Sequence, residues 1–218
     1  MDKKIICGIS ACSSFLKIAI SDGLNLSCFS EQILNFEDKM FEVIIKLLKK
    51  YGADFKDISD FCVVRGPGRF TGIRSVYSFV KVYQAISKCR VWGVDVFELL
   101  AYNLFLVDKR DVEIAVIIHA FKEEFYLAKY VIKNGSLIRK YDPGWLLFSD
   151  VCGKLKNFKG IALTDAEDYP QTVKMFKNLK FADQNLLKID ERNIINAAMF
   201  FGKKDISPFY LKPAKFEV

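Results

Sequence analysis

The sequence is poorest in histidine, because its 218 residues include only one, His119. A site that needs two histidines cannot therefore be built from this sequence alone. A nucleophilic Cys–His pair would have to use His119, and nothing in the sequence marks which of the six cysteines would join it.

Two other patterns are missing: a C-x-x-C pair, and any apolar run of the roughly 18 residues needed to cross a bilayer. The six cysteines lie partly inside strand-like apolar runs, which predicts buried, reduced thiols. The apolar stretch Ile5–Ile9 is too short for a secretory signal and continues into a strand-like pattern. We therefore expect a cytoplasmic protein that does not associate with membranes.

The overall composition is that of a folded protein, with 51% hydrophobic and 27% charged residues. A formal net charge of +7 permits contact with nucleic acid without requiring it. Aromatic residues make up 14% of the chain and include 20 phenylalanines, which indicates large buried faces or partner surfaces.

The first half reads as three strands followed by alternating helices and strands. Two of the helical segments carry end signals, with Gly52 as a stop and Asp95 followed by Glu98 as a capping-box-like start. The predicted strands are Lys4–Ile9, Phe15–Ser21, Leu26–Ile33, Ile58–Val64 and Val91–Val94, and the predicted helices are Asp38–Gly52, Thr71–Lys88 and Asp95–Phe105.

The second half repeats the three-strand opening, with a turn at Asn134-Gly135. Its predicted strands are Glu113–His119, Phe125–Val131, Leu137–Tyr141 and Gly160–Leu163, and its predicted helices are Leu147–Leu155 and Asp190–Phe201. We expect a duplicated α/β fold of two mixed sheets with flanking helices. The predicted subdomains are 1–107 and 108–218, with the last helix, about 190–202, packing back on the first subdomain.

The most informative segment joins a buried strand to a helix and reads Arg65-Gly66-Pro67-Gly68-Arg69-Phe70-Thr71-Gly72. Its glycines and proline require tight backbone geometry, and Thr71 is a candidate helix cap. The spacing G-x-G-x-x-x-G matches neither the dinucleotide-binding nor the P-loop pattern. A ligand-free turn, a contact to phosphate or nucleotide, and a contact to a partner protein all stay open.

Together with Ile73 and Arg74, this segment resembles the GPGSFTGLR signature of the TsaB (YeaZ-like) family, with Arg69 replacing the usual Ser and Ile73 the usual Leu. Three further stretches are similar to family segments in the right order: Ile6–Ser10, His119–Tyr126 and Pro208–Lys212. The resemblance implies the duplicated actin/Hsp70/sugar-kinase-like (ASKHA) fold.

The resemblance also implies a function. TsaB-like proteins are non-catalytic scaffold or activator subunits in the bacterial complex that forms N6-threonylcarbamoyladenosine at position 37 of tRNA. They pair with the catalytic subunit TsaD through helices of the N-terminal half, and TsaE joins the complex. ATP and a divalent metal are expected in the catalytic partner, and no cofactor or metal is expected in this chain.

Two departures support a non-catalytic role. Ser10 stands where the fold superfamily normally has an Asp that helps to place a metal-bound nucleotide, and a serine hydroxyl cannot hold a divalent cation as a carboxylate does. TsaD resembles metal-dependent proteins that use an H-x-x-x-H pair, which this sequence cannot form because His119 is its only histidine. His119 also stands where TsaB-like sequences have an Asp, so no family role is carried over to that position.

The predicted helices 38–52 and 71–88 carry apolar arcs of about 200° and 220°, wider than the roughly 100° that packing on one sheet requires. They could pack on each other within the chain, or their outer parts could face a second protein. The family resemblance favours the second interpretation. The predicted partner contacts are Met40, Val43, Leu47, Val76, Val80 and Tyr83.

Three lysine clusters could guide the phosphates of tRNA or be simple solvated faces, and no RRM-like or KH-like pattern accompanies them. The clusters are Lys46, Lys49 and Lys50; Lys154, Lys156 and Lys159; and Lys203, Lys204, Lys212 and Lys215. Two alternatives to the scaffold stay open: an independent ATP-dependent transferase or protease-like enzyme, and a structural protein that forms homodimers through the same helices.

Overall fold

The computed structural model describes residues 4–33 and 36–211, which form two compact units. The first unit contains the described residues up to Val96 together with Asp190–Phe209, and the second contains Phe97–Ile189 and the described residues from Tyr210. The division falls earlier than the predicted boundary after residue 107. One reason is that Asn103 donates to the carbonyl of Lys188 at 3.3 Å, which ties this segment to the second unit.

The first unit is a five-stranded mixed sheet with helices. Its order is β3-β2-β1-β4-β5; the pairs β1–β2 and β2–β3 are antiparallel, and β1–β4 and β4–β5 are parallel. The strands are β1 (Ile5–Ser10), β2 (Phe15–Ser21), β3 (Leu26–Gln32), β4 (Ile58–Val64) and β5 (Arg90–Val94), and the helices before the second unit are α1 (Phe36–Lys49) and α2 (Phe70–Ser87).

The core of the first unit forms because β1, β2 and β4 are apolar along almost their whole length. Ile5, Leu16 and Phe61 on these strands are fully buried with Ile44 of α1 and Val80 of α2. The most apolar side of each helix packs against the sheet, so α1 and α2 form a layer that covers it.

The second unit is built on a four-stranded sheet of order β8-β7-β6-β9, in which only β6–β9 is parallel among the described pairs. The elements are α3 (Val96–Val107), β6 (Val112–Phe121), β7 (Glu124–Lys133), β8 (Ser136–Leu147), α4 (Phe148–Lys154), β9 (Ile161–Leu163) and α5 (Gln171–Met175). The chain then returns to the first unit with α6 (Ile194–Phe201), which packs on β1, β4 and β5.

The predicted fold class is confirmed, because each unit contains a three-stranded meander, adds parallel pairing and carries flanking helices. The hairpin turn is also confirmed: Asn134 and Gly135 both have positive φ, 50° and 70°, as a two-residue primed turn requires. Gly202, with φ 64°, ends α6 in the left-handed conformation that is typical of a glycine after a helix.

Several predicted boundaries are wrong. Helix α1 begins two residues earlier than predicted, at Phe36, and it ends at Lys49. Beyond Lys49, hydrogen-bonded turns continue the chain as far as Gly52. Helix α2 is capped at Arg69, so Thr71 lies inside its first turn and is not the cap. Asp190 caps a 3₁₀ turn, Glu191–Asn193, that precedes α6. The five-residue helix α5 was not predicted.

In the described ranges, no helix combines the length and the apolar character that a bilayer span requires.

Candidate functional site

The glycine segment between β4 and α2 packs on the turn that joins β1 to β2. A Cβ atom built at Gly68 would collide with the carbonyl oxygen of Cys12, and one at Gly72 would collide with that of Ala11. The amide of Arg69 donates to the same Cys12 carbonyl at 2.7 Å. Glycine is therefore needed at these positions for close backbone approach between the segment and the first hairpin.

The start of the segment is held from the other side by the end of β5 and by the C-terminal part of the chain. The amide of Arg65 donates to the carbonyl of Val94 at 2.9 Å, and the amide of Phe209 donates to the carbonyl of Arg65 at 2.9 Å. The Arg65 side chain is buried and lies over the Phe209 ring at 5.5 Å. Gly66 has φ 116°, which other residues rarely adopt, and its carbonyl accepts from the Val96 amide at 2.8 Å.

The middle of the segment is open to solvent. Arg69, Phe70 and Thr71 are exposed, and so is Arg74 one turn into α2. The guanidinium of Arg69 lies 5.8 Å from the Phe36 ring centroid, and that of Arg74 lies 5.0 Å from the Phe70 centroid. Two cations at the positive end of a helix can neutralise an anion or an acidic partner.

The remaining segment residues are structural in this fold. Pro67, Gly72 and Ile73 are buried, and the Cys12 thiol contacts the carbonyl of Val64 at 3.2 Å beneath the turn. The predicted segment therefore divides into a buried anchor and an exposed edge, and only the exposed edge is available to a ligand or partner.

Ser10 and His119 both have structural contacts. Ser10 is buried, and its hydroxyl lies 3.5 Å from the amide of Cys12 in the turn after β1. The His119 ring stacks on Tyr169 with centroids 3.6 Å apart, and its Nε2 lies 3.0 Å from the carbonyl of Lys122. Within residues 4–33 and 36–211, no group of three His, Cys, Asp or Glu side chains is arranged to hold a metal ion.

The prediction of buried thiols holds for four cysteines, Cys7, Cys12, Cys62 and Cys89. Cys28 is half-buried, and burial raises its pKa to about 11. Cys152 on α4 is exposed, which contradicts the prediction for that residue because it lies on the solvent side of its helix.

The predicted partner contacts on α1 and α2 are corrected by the structure. Five of the six side chains point into the core of the first unit and are 4% exposed or less. Tyr83 is half-buried, and its hydroxyl donates to the carbonyl of Phe55. These side chains cannot form a docking surface in this fold. The five buried residues are Met40, Val43, Leu47, Val76 and Val80.

A different part of the same helices is exposed and apolar. Phe41 and Ile45 lie one turn apart on α1, and Val82 and Ile86 lie one turn apart on α2. We call these four residues the helix surface. Phe41 contacts Phe79 of α2 edge-to-face at 4.9 Å, which joins the two helices beside this surface. Both pairs have i,i+4 spacing, which places each pair on one side of its helix. The sequence shows this spacing, but it does not show whether that side faces solvent or the core.

Three lysines of the predicted clusters make contacts within the chain. Lys154 Nζ lies 5.0 Å from the Tyr141 ring, and Lys203 Nζ lies 3.8 Å from Asp95 Oδ2. Lys204 Nζ lies 6.0 Å from the Trp92 ring. Lys212 and Lys215 lie outside the described residues.

Comparison with known proteins shows the family. The model of the family described as TsaD, tRNA N6-adenosine threonylcarbamoyltransferase, matches residues 33–184. A relative from Buchnera aphidicola (subsp. Acyrthosiphon pisum), named tRNA threonylcarbamoyladenosine biosynthesis protein TsaB, is 27% identical over 174 residues, covering 79% of this chain and 72% of the relative. The protein of the same name from Buchnera aphidicola (subsp. Schizaphis graminum) is 23% identical over 159 residues, covering 72% of this chain and 74% of that protein.

Solved structures support the fold. YeaZ from Pseudomonas aeruginosa superposes with a TM-score of 0.73 at 15% identity, covering 95% of this chain and all of that chain. A second Pseudomonas aeruginosa structure, described as an uncharacterized protein similar to peptidase YeaZ, gives a TM-score of 0.77 at 16% identity and covers 96% of this chain. The chain therefore belongs to the family of the tRNA N6-adenosine threonylcarbamoyltransferase model and, within it, is of the TsaB/YeaZ type.

Proposed function

We propose that the chain is a non-catalytic subunit that pairs with TsaD and supports the formation of N6-threonylcarbamoyladenosine on tRNA. The family match and the relatives' names supply the reaction. The observation that carries the subunit role is the helix surface, because four large apolar side chains stand in solvent on two adjacent helices.

The helix surface is suited to packing against other helices. Two exposed positions of α2 near Val82 and Ile86 carry small side chains, Ser78 and Ala85. Small residues beside large apolar ones let a partner helix approach closely and fill the gaps. A stable interface buries about 800 Å² on each partner, which two neighbouring helices can supply.

The flanking charges favour an acidic partner surface. Arg74, Lys81 and Lys88 follow one side of the exposed α2 stripe and are themselves exposed. The cations at the start of α2, Arg69 and Arg74, extend this border to the glycine segment. Such charges at a rim steer association and set orientation more than they add affinity.

A non-catalytic role is supported by the identities and contacts of two residues. Ser10 has no carboxylate to hold a metal-bound nucleotide and is engaged with the amide of Cys12. His119 is held in a stack with Tyr169 and lacks a second histidine in the sequence. In this proposal ATP and a divalent metal are held by TsaD, TsaE joins the pair, and tRNA is bound by the complex.

Reconstitution tests this proposal. TsaD and TsaE are supplied with tRNA, threonylcarbamoyl adenylate, ATP and Mg²⁺, and the modified nucleoside is measured with and without this chain. We expect modification to depend on the chain, and the pure chain to form no product and to hydrolyse no ATP. Product formed equally without the chain, or ATP hydrolysis by the chain alone, would contradict the proposal.

The helix surface also permits self-pairing, since an apolar patch around two helices can be self-complementary. Light scattering of the pure chain, followed by addition of TsaD, separates the two cases. We expect any homodimer to be replaced by a heterodimer. A homodimer that persists with excess TsaD would favour the structural alternative.

A further inference from the structure

A cavity of about 480 Å³ lies within the second unit, between α4 and the segment that follows α5. That segment leads to Phe181, which pairs with Ala162 of β9. Its volume is within the range of small-molecule sites, roughly 300–1,000 Å³. It lies apart in the sequence from the glycine segment and from the helix surface, and neither of those features uses it.

The floor of the cavity is aromatic and preformed. Phe148 and Phe176 lie 5.0 Å apart by ring centroids at an angle of 51°, and Phe158 completes the aromatic lining. Phe176 and Leu155 are also buried members of the core of the second unit. Core packing therefore holds part of the lining in place, and aromatic side chains of this kind can stack with a planar ligand.

The rim of the cavity is cationic. Lys156 and Lys177 both line it and are exposed, and none of the described lining residues is acidic. Asn178, also exposed at the rim, offers an amide that can both donate and accept hydrogen bonds. The site thus combines an apolar aromatic interior, two positive charges and one group able to read a polar edge.

We propose that this cavity binds a nucleotide, with the base on the aromatic floor and the phosphate between Lys156 and Lys177. Bases stack on aromatic side chains whatever their sequence, and lysine serves as a point charge for phosphate. A fatty acid would need the apolar volume and one cation, but it would not use flat ring faces or the Asn178 amide.

The same chemistry can come from a free nucleotide or from an unpaired nucleotide in an RNA strand. The strand source rests on the proposed function, because that function brings tRNA to the protein. The free-nucleotide source does not. Binding to the isolated full-length chain is therefore measured with AMP by calorimetry and with a fluorescein-labelled short oligoadenylate by anisotropy, with AMP as competitor.

Two charge variants locate the binding. The double variant Lys156→Glu/Lys177→Glu reverses both rim cations. The matched control Lys159→Glu/Lys174→Glu makes the same change in charge at exposed lysines that do not line the cavity. We expect at least about tenfold weaker binding for the rim variant and about twofold or less for the control. Equal losses would show general electrostatic attraction and overturn the proposal.

A third variant places a large side chain at a glycine that lines the cavity. A Cβ atom at Gly153, which lines the cavity, would meet no heavy atom within 4 Å, so Gly153→Phe places a ring in open space. We expect it to abolish binding with an unchanged circular dichroism spectrum. Retained binding would contradict the assignment.

Cysteine alkylation gives an independent location. Cys152 lines the cavity and is exposed, whereas Cys28 is half-buried in the first unit. We expect saturating AMP to slow alkylation of Cys152 by N-ethylmaleimide and to leave Cys28 unchanged, as measured by peptide mass spectrometry. Binding of AMP without protection of Cys152 would place the nucleotide elsewhere. Binding of oligoadenylate but not AMP would restrict the source to RNA, and binding of neither would end the proposal.

Discussion

Arg65 and Asp205 are 140 positions apart in the sequence, yet Nη1 of Arg65 donates to Oδ2 of Asp205 at 2.8 Å. The two partners differ in solvent exposure, since the Arg65 side chain is 10% exposed and that of Asp205 is 61% exposed. Together with the backbone bonds of Arg65 to Val94 and Phe209, it fastens the glycine segment to β5 and to the chain's C-terminal part. The buried anchor of the segment is therefore held in place by residues that lie outside the motif.

We expect Arg65→Leu to lower the free energy of unfolding by about 1–3 kcal/mol, because it removes a charged hydrogen bond and the contact with the Phe209 ring. Asp205→Asn keeps the buried arginine and a polar neighbour, so its loss should be about 1 kcal/mol or less. Urea unfolding measures both. A larger loss for Asp205→Asn than for Arg65→Leu would show that the pair does not act as described.

The close approach at Gly72 predicts a large effect for a single methyl group. A Cβ there would meet the carbonyl oxygen and the Cβ of Ala11, which are backbone-anchored and cannot move aside freely. We expect Gly72→Ala to destabilise the protein by about 2–4 kcal/mol, as overpacking and backbone displacement do.

Gly153→Ala is the matched control. Gly153 lies in α4, and a methyl group added there would stand in open space, so the substitution should stabilise the protein by up to about 1 kcal/mol through helix propensity. Thermal and urea unfolding measure the change in stability for both alanine variants. If both changes have the same sign, the steric explanation of the glycine segment is wrong.

Asp60 on β4 predicts an acid-dependent loss of stability. Burial alone would raise its pKa, but hydrogen bonds from Arg90, Trp92 and Ser59 outweigh it and hold the pKa below its ordinary value. A carboxyl group with a lowered native pKa contributes stability above its unfolded pKa, about 3.9, and loses it as pH falls through the native value.

The measurement for Asp60 is urea unfolding of wild type and Asp60→Asn between neutral pH and about pH 3. We expect the variant to be less stable at pH 7, because a neutral amide replaces the carboxylate that accepts from Arg90 and Trp92. The difference should start to shrink below about pH 5. A difference that stays constant or grows on acidification would exclude a lowered pKa for Asp60.

Much of the fold follows from local sequence signals. The apolar run Ile58–Val64 predicts a strand and the pair Asn134-Gly135 predicts a turn, and the structure has both at these residues. The short helix α5 carries too few residues for a helical period to show. Strand β8 continues beyond its predicted end at Tyr141 to Leu147 and includes Pro143 and Gly144. An edge strand tolerates these residues because one of its sides forms no hydrogen bonds with another strand.

The site was harder to predict because solvent exposure depends on tertiary packing. Periodicity shows that α1 and α2 are apolar around most of their circumference, but it does not say which part of the arc meets the sheet. Val80 and Val82 are equally apolar, yet Val80 is fully buried and Val82 is 61% exposed. Which side of α2 packs on the sheet decides between them, and that sheet is built from strands far apart in the sequence.

The most direct test of the central claim measures the affinity of this chain for TsaD from the same organism, by calorimetry, for wild type and two variants. Val82→Glu places a charge in the helix surface, and Val107→Glu places it at a similarly exposed valine, 66% exposed, on α3. We expect Val82→Glu to weaken pairing at least about tenfold and Val107→Glu to leave it unchanged, with both variants folded. Undiminished pairing of Val82→Glu would contradict the claim that this surface binds the catalytic subunit.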